Sequence, residues 1–375
     1  MWSEKLVVHH IGARGPTQAF PTAEQFERSV INVLYEADER CIAELEQLNR
    51  ERTAKVIIVN RCISGKGGRR TFCDAHHGYG SSLLEANPQL ASLNIPAHWI
   101  DYDYTVYEAI SAKERRTIDT ITLDDLVASD ASIPPPDFLS LDTQGSELEI
   151  FQGAPLSLGN TLCIVTEVEF MPIYDQQPLF GDVCTHLAKN DFLFAKLYPM
   201  LSGSLYRGPL GLRGEGMPVT TDALFLRNPQ TVVEVSGDCV SRHVALRKLA
   251  FFSILFGFIE HALWALKLDN PSSGIVPPKI LAEPWYEFVH QFKNVADKYP
   301  VLLPDTFAER HSGAHPLGRD GFARIATDQF TKLETSVGEM LRLLKGHGMD
   351  QAHAALMRQT GVCLRRLGLP VIEWL

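Results

Sequence analysis

The sequence has no excess of positive charge: 35 Lys and Arg face 45 Asp and Glu over 375 residues, a formal charge of −10. Phosphate binding draws on clustered Lys and Arg, so this balance argues against a nucleic-acid surface, and a neutral or sugar-like substrate fits better. Cysteine is scarce as well, seven in all, and none is paired at metal-ligand spacing. An odd, scattered set reads as reduced thiols and predicts a cytoplasmic protein. Met1 to Lys5 lack the layout of a signal peptide and lead straight into a strand, which agrees with that expectation. Tandem repeats and low-complexity tracts are missing. His9-His10 and His76-His77 are adjacent pairs without i, i+4 spacing or a set of acid or thiol companions, which speaks against zinc. No Ser-His-Asp order with a nucleophile elbow occurs. The one apolar run near the length of a membrane span, Leu249 to Leu266, holds Glu260 and His261. An ionisable pair at that depth is costly in lipid, so a helix buried between other helices is expected, with peripheral membrane association as the residual reading.

What is present is ordinary for a globular chain, with 45% apolar and 21% charged residues. The length predicts two domains, with boundaries at 1–237 and 238–375. After about Gly237 the pattern changes to long helices with apolar residues at i, i+3, i+4, such as Leu333, Val337, Leu341 and Leu344. The first part alternates strands and helices. Its centre is Pro136 to Glu169: an apolar strand Phe138 to Leu141, then Asp142, then Gly145. Ser146 is placed to cap the following helix, Glu147 and Glu149 sit in its first turn, and Gly153 is placed to end it in a left-handed cap. A second apolar strand follows from Leu162 to Val168. In an open α/β sheet the strand carboxyl ends are the ligand-binding edge, so Asp142 stands where a substrate can meet it.

Upstream, the run Lys5 to Ile11 delivers Gly12-Ala-Arg-Gly15, a strand followed by a Gly-rich turn that allows close backbone approach to a ligand. The next strand, from Val30, ends in Glu36, at about the separation expected for an acid that holds a ribose. A plainer reading has Glu36 begin the acidic helix Glu39 to Asn49. The third strand, Lys55 to Asn60, leads to Gly65-Lys-Gly-Gly-Arg-Arg70, which lacks phosphate-loop spacing and predicts a solvated hairpin turn. Thr122 is placed to cap a short helix begun by Asp124 and Asp125. Pro199 to Pro218, rich in Gly and Pro, is long enough for a lid or an acceptor-binding loop.

The residues Leu141-Asp-Thr-Gln-Gly-Ser-Glu-Leu-Glu-Ile-Phe-Gln-Gly-Ala154 resemble the signature of the FkbM-type family of S-adenosylmethionine-dependent methyltransferases. The resemblance continues through Glu167-Val-Glu-Phe-Met-Pro-Ile-Tyr174, Gln177-Pro-Leu-Phe180, the Ser81-Ser82-Leu83 segment and Asp222-Ala-Leu-Phe225. It covers roughly residues 5 to 228. It implies an α/β fold, a Rossmann-like class I methyltransferase sheet of seven mostly parallel strands, here with an additional C-terminal all-α region. The implied activity is O-methylation of a hydroxyl on a sugar, a glycan or a small natural product. Carried over by position, Gly12, Ala13 and Gly15 would face the methionine part of S-adenosylmethionine, Glu36 its ribose, and Asn60 and Ile63 its adenine. Ser82 would bond cofactor or substrate.

An attacking hydroxyl must lose its proton, so an acid at the strand ends is useful as a base. The order of candidates is Asp142, then Glu169, with Glu147 anchoring the turn. Glu167 and Glu169 share a strand face, and hydrogen bonding to the sheet edge would equally explain them. Some sugar O-methyltransferases use magnesium, and a set of carboxylates near Asp142 could hold one; the sequence leaves metal use open and assigns no metal ligand. In the family the first glycine motif begins with an acid, and here His10 stands in that place. The alternative reading is a non-catalytic protein that keeps the fold and uses its C-terminal helices for assembly, homo-oligomerisation or partner binding. A nicotinamide oxidoreductase fits less well, because Gly12-Ala-Arg-Gly15 lacks the full Gly-x-Gly-x-x-Gly spacing.

Overall fold

In the computed structural model, residues 4–14, 20–21, 24–95, 104–206, 208, 212, 214–269, 276–299 and 327–366 are described. Their strands, numbered in chain order, are β1 Leu6–Ile11, β2 Val30–Tyr35, β3 Lys55–Val59, β4 Cys62–Ile63, β5 Gly68–Ala75, β6 Asn94–Ile95, β7 Tyr104–Thr105, β8 Ala112–Ile121, β9 Phe138–Leu141, β10 Cys163–Glu169, β11 Phe192–Leu197, β12 Leu201–Gly203 and β13 Met217–Arg227. Contacts divide the chain into two compact units, Met1–Thr22 with Glu27–Val235, and Ala23–Phe26 with Ser236–Leu375.

The first unit is built on a sheet of order β3-β2-β1-β9-β10-β13-β11, with β12 paired to β13. The five strands from β3 to β10 are parallel, whereas β13 runs antiparallel to β10, β11 and β12. β1 and β9 are buried at every position instead of alternating, the pattern of central parallel strands, and helix residues Leu123, Ile150, Phe151 and Val183 pack on the sheet within the core. The core gathers Val33, Leu139, Ile150, Phe151, Ile164 and Phe225. The sheet has eight strands where seven were expected, and the eighth is short. β12 forms inside the segment expected to be a loop, because Gly203 and Gly216 let two backbones meet: a Cβ on Gly216 would lie 2.8 Å from the Gly203 nitrogen.

Two other local expectations are corrected. The turn Gly65 to Arg70 does not join a hairpin, since β4 and β5 both pair with β8, which lies between them. Gly153 does not supply a left-handed cap: the helix Glu147–Gly153 ends at Ala154 with φ −131°, and Ser146 makes no side-chain cap bond. Gly153 is needed for space, because a Cβ there would sit 2.5 Å from the Gly65 carbonyl oxygen. Thr122 does cap its helix, accepting from Asp125 N at 3.0 Å. Asp124 starts the helix Pro155–Asn160 by accepting from Leu156 N and Ser157 N, both at 2.7 Å.

The described part of the second unit is helical, with Cys239–Leu255, Ile259–Leu268, Pro278–Leu281, Pro284–Ala296, Thr327–Gly346 and Asp350–Arg366. The long apolar run is two helices, not one. Gly257 at φ +85° breaks it, and His261 Nδ1 of the second helix meets Ser253 Oγ of the first at 2.8 Å. Among the described residues no helix is long and apolar enough to cross a membrane. Phe26 packs edge-on to Phe251 and Phe288. Nearby, Asp269 accepts from His243 Nδ1 at 2.6 Å and Arg247 Nε at 3.0 Å, all three side chains being buried.

Candidate functional site

Three parallel strands end abreast. Ile11 is in register with Tyr35 of β2 and with Leu141 of β9, so the residues that follow, Gly12, Glu36 and Asp142, stand side by side at one sheet edge. Strand order reverses here: β2 and β3 lie to one side of β1, and β9 and β10 to the other. Diverging loops at such a point leave a crevice. A cleft of about 680 Å³, partly open to solvent, lies there, lined among others by Gly12, Glu36, Ile63, Ser82 and Asp142.

Gly12 has φ +84°, and its amide and that of Ala13 donate to the Tyr35 carbonyl at 3.2 and 3.0 Å. Glu36 is 6% exposed. One carboxylate oxygen accepts from Asp38 N at 2.7 Å, which leaves acceptor capacity toward the cleft. Burial raises its pKa above the ordinary glutamate value. Asn60 supports Glu36 from behind, its Nδ2 donating to the Glu36 carbonyl at 2.9 Å. Neither Asn60 nor the buried Ala13 lines the cleft. Gly15 lies outside the described residues. Ser82 Oγ donates to the Gln144 carbonyl at 2.7 Å and accepts from Leu84 N at 3.0 Å, tying two loops of the site together.

Asp142 lines the cleft with its side chain exposed there, and desolvation by the surrounding protein raises its pKa. The Gln144 amide nitrogen donates to Asp142 Oδ1 at 2.8 Å and to Glu167 Oε2 at 2.6 Å, bridging two acids. Tyr174 OH lies 2.9 Å from both Gln144 Oε1 and the Gly80 carbonyl.

Residues 10–194 match the methyltransferase FkbM domain. The chain therefore carries an FkbM methyltransferase domain. Neither the curated proteins nor the solved structures yield a match. The matched region begins inside β1 and ends inside β11, so the cleft lies wholly within the FkbM domain.

Several residues in and around the cleft of the FkbM domain carry little signal in the sequence. Arg14 sits within the glycine turn itself, where a charged residue between two glycines was the available signal. Phe72 arrives from β5 with no local cue. Asp38 is bound by Arg40 Nε at 2.7 Å, and the Asp74 carboxylate is shared by Arg40 and Arg116 at 2.8 and 2.9 Å. Arg116 comes from β8, so only the fold could assemble that set. His10 is buried, its pKa lowered to about 4 chiefly by burial, and it does not line the cleft. His9 is buried and neutral as well. With Pro134 O as an acceptor 2.9 Å from Nε2, the proton belongs on Nε2, and Nδ1 accepts from Tyr35 OH at 3.0 Å.

Glu169 stands second to Asp142 in the sequence as acceptor-side base. It is 2% exposed and does not line the cleft, and Glu167 is the acid that shares Gln144 with Asp142. Strand alternation put both glutamates on one face, yet it carried no information on which of them the Gln144 amide would reach. Among the described residues no group of three or more His, Cys, Asp or Glu is placed to hold a metal ion.

The buried acids make stability depend on pH. Burial pushes Glu147 up to about 7 and drives Glu167 and Glu169 well above the usual carboxylate range. A raised acid keeps in the fold a proton that the unfolded chain has released, so its stabilisation is complete below the unfolded pKa and is lost as pH rises through the folded one. His9 and His10 act with the opposite sign and only at lower pH, where stability falls as the unfolded chain takes up their protons. Above about pH 6.5 the two histidines no longer contribute, the raised acids do, buried thiols such as Cys163 add to them with the same sign near pH 8.5, and the thermal midpoint is expected to fall as pH is raised to about 8.5. Glu169→Gln should flatten that slope in parallel thermal melts; an unchanged slope would contradict the account.

Proposed function

We propose that the FkbM domain binds S-adenosylmethionine and transfers its methyl group to a hydroxyl, on a Rossmann-like class I methyltransferase sheet to which residues 238–375 add an all-α region. The observation that carries this reading is the alignment of Gly12, Glu36 and Asp142 at the strand-order reversal, around one cleft. The residues fit the cofactor. Gly12 puts bare backbone on the cleft wall, where a ligand can approach closely. Glu36 retains acceptor capacity for a pair of ribose hydroxyls. Ile63 and Phe72 give apolar surface for a planar ring.

When bound, the cofactor supplies a methyl group on a positively charged sulfur. The chain's own residues hold and orient the reactants, which is where much of the acceleration of such a transfer arises. Asp142 accepts the proton of the attacking hydroxyl, and its raised pKa suits that role, since a base works best with a pKa nearer the working pH. Gln144, held by Ser82 and Tyr174, keeps the carboxylate in place. A cleft end bordered by acids favours a hydroxyl-rich acceptor, which donates hydrogen bonds to carboxylates, and we therefore favour a sugar, a glycan or a small natural-product alcohol.

Calorimetric titration with S-adenosylhomocysteine, with NAD as control, tests the reading. Wild type should bind S-adenosylhomocysteine and not NAD, and Glu36→Ala should weaken that binding by about 30-fold, the worth of charge-assisted bonds to two hydroxyls. Failure of the wild type to bind S-adenosylhomocysteine would remove the proposal, and binding of NAD in its stead would favour hydride transfer.

A further inference from the structure

We propose that Arg14 is the anchor for the carboxylate at the amino-acid end of S-adenosylmethionine, an assignment that rests on the cofactor reading above. Arg14 lines the cleft two residues after Gly12, whose backbone abuts that of Asp142 at the β1 end, and its charge acts on Glu36. The amino-acid part of the cofactor is bonded to the same sulfur that carries the methyl group. Its carboxylate must therefore come to this end of the cleft. Of the other charged groups on the cleft wall, Glu36, Asp38 and Asp142 are acids, which repel a carboxylate, and Arg61 lies at the β3 side, so a cation is required at this end for an anionic group to enter.

The guanidinium is held but not neutralised. Among the described residues, its hydrogen bond is to the Gly78 carbonyl, from Nη1 at 2.9 Å, and no carboxylate lies within ion-pair distance of it. A guanidinium has five N–H donors, so four remain, in a planar fork that matches a carboxylate. Tyr79 lies against it with the ring centroid 5.7 Å from the guanidinium carbon. Gly78 makes room for it: a Cβ at that position would be 2.6 to 2.9 Å from the guanidinium atoms. The loop thus leaves a space shaped to Arg14 and commits only one of its donors. The other cleft-lining arginine that is not tied to an acid, Arg61, lies beside Ile63 at the β3 side, where the ring rather than the carboxylate is expected.

The test compares two ligands on the full chain by calorimetry: S-adenosylhomocysteine, and its decarboxylated form, the thiopropylamine, which differs only in lacking the carboxylate. Wild type should prefer the first by about tenfold or more, as for one charge-assisted bidentate pair. Arg14→Met should abolish that preference, weakening S-adenosylhomocysteine by about tenfold and leaving the decarboxylated ligand unchanged, which also reports that the variant is folded. Arg14→Lys, which keeps the charge without the fork, should recover part of the preference. Gly78→Ala should act in the same direction as Arg14→Met, because the added carbon takes the guanidinium's place. Equal binding of both ligands by wild type, or equal weakening of both by Arg14→Met, would overturn this assignment while leaving the cofactor reading intact. Absence of binding by either ligand would remove both.

Discussion

Gly12→Ala is expected to lower folding stability by at least about 3 kcal/mol and to abolish binding of S-adenosylhomocysteine, the larger loss of any single change at the cleft. Two independent effects add. The residue has φ +84°, a conformation in which a side chain is strained by about 1 to 2 kcal/mol. The new carbon would also stand 1.8 Å from the Asp142 carbonyl oxygen and 2.8 Å from its carbon. That obstacle is backbone, not a side-chain tip, and it cannot rotate away. β1 and β9 are joined directly beneath it, with Asp142 N donating to Ile11 O at 3.0 Å, so relief requires the two central strands to part at their ends. Denaturant unfolding and calorimetry of the same preparation check this. A variant within about 1 kcal/mol of wild type would mean that the turn is softer than its geometry states.

Glu147→Ala is expected to cost about 3 to 5 kcal/mol, although Glu147 lies at the start of a helix where an exposed acid would be worth a few tenths. The side chain is 2% exposed, and its carboxylate accepts from Thr143 N at 2.7 Å, Thr143 Oγ1 at 2.9 Å and Gly145 N at 3.0 Å. These donors belong to a turn in which Gln144 and Gly145 both have positive φ, 57° and 100°. Truncation leaves two amides without an acceptor in a buried place and frees a strained turn to relax. The effect would reach the cleft, because Gln144 in that turn holds Asp142 and Glu167. Glu147→Gln, which keeps one acceptor oxygen, should lose clearly less. Urea unfolding of the three proteins decides it, and an equal loss for Ala and Gln would show that packing, not the lost acceptor, governs the site.

Position alone accounts for why part of this was legible in the sequence. Short apolar runs, β-branched in the first two cases, followed by glycine or acid, as at Ile11-Gly12, Tyr35-Glu36 and Leu141-Asp142, encode both the strand and its carboxyl end, since periodicity and turn chemistry are local. The FkbM signature around Asp142 is local too, and the family match over residues 10–194 agrees with it. Strand alternation likewise placed Glu167 and Glu169 on one face. Nothing local distinguished them further.

What only the tertiary structure decided are the distances between residues far apart in the chain. Gly153 looked like a helix terminator, but its missing side chain serves contact with Gly65, reached through β4 and β8. The Pro199 to Pro218 segment looked like a loop, yet paired glycines let Leu201–Gly203 add a strand. The apolar run from Leu249 was long enough to suggest one helix, and Gly257 in a left-handed conformation divides it. Arg14 meets Gly78, and Gln144 meets Glu167, through contacts that no spacing in the sequence encodes. Local preference determines which segments become strands and helices, because it depends on neighbours a few residues away. The assembly of charges at the cleft depends on which strands lie side by side, and that is set by the burial of the whole sheet.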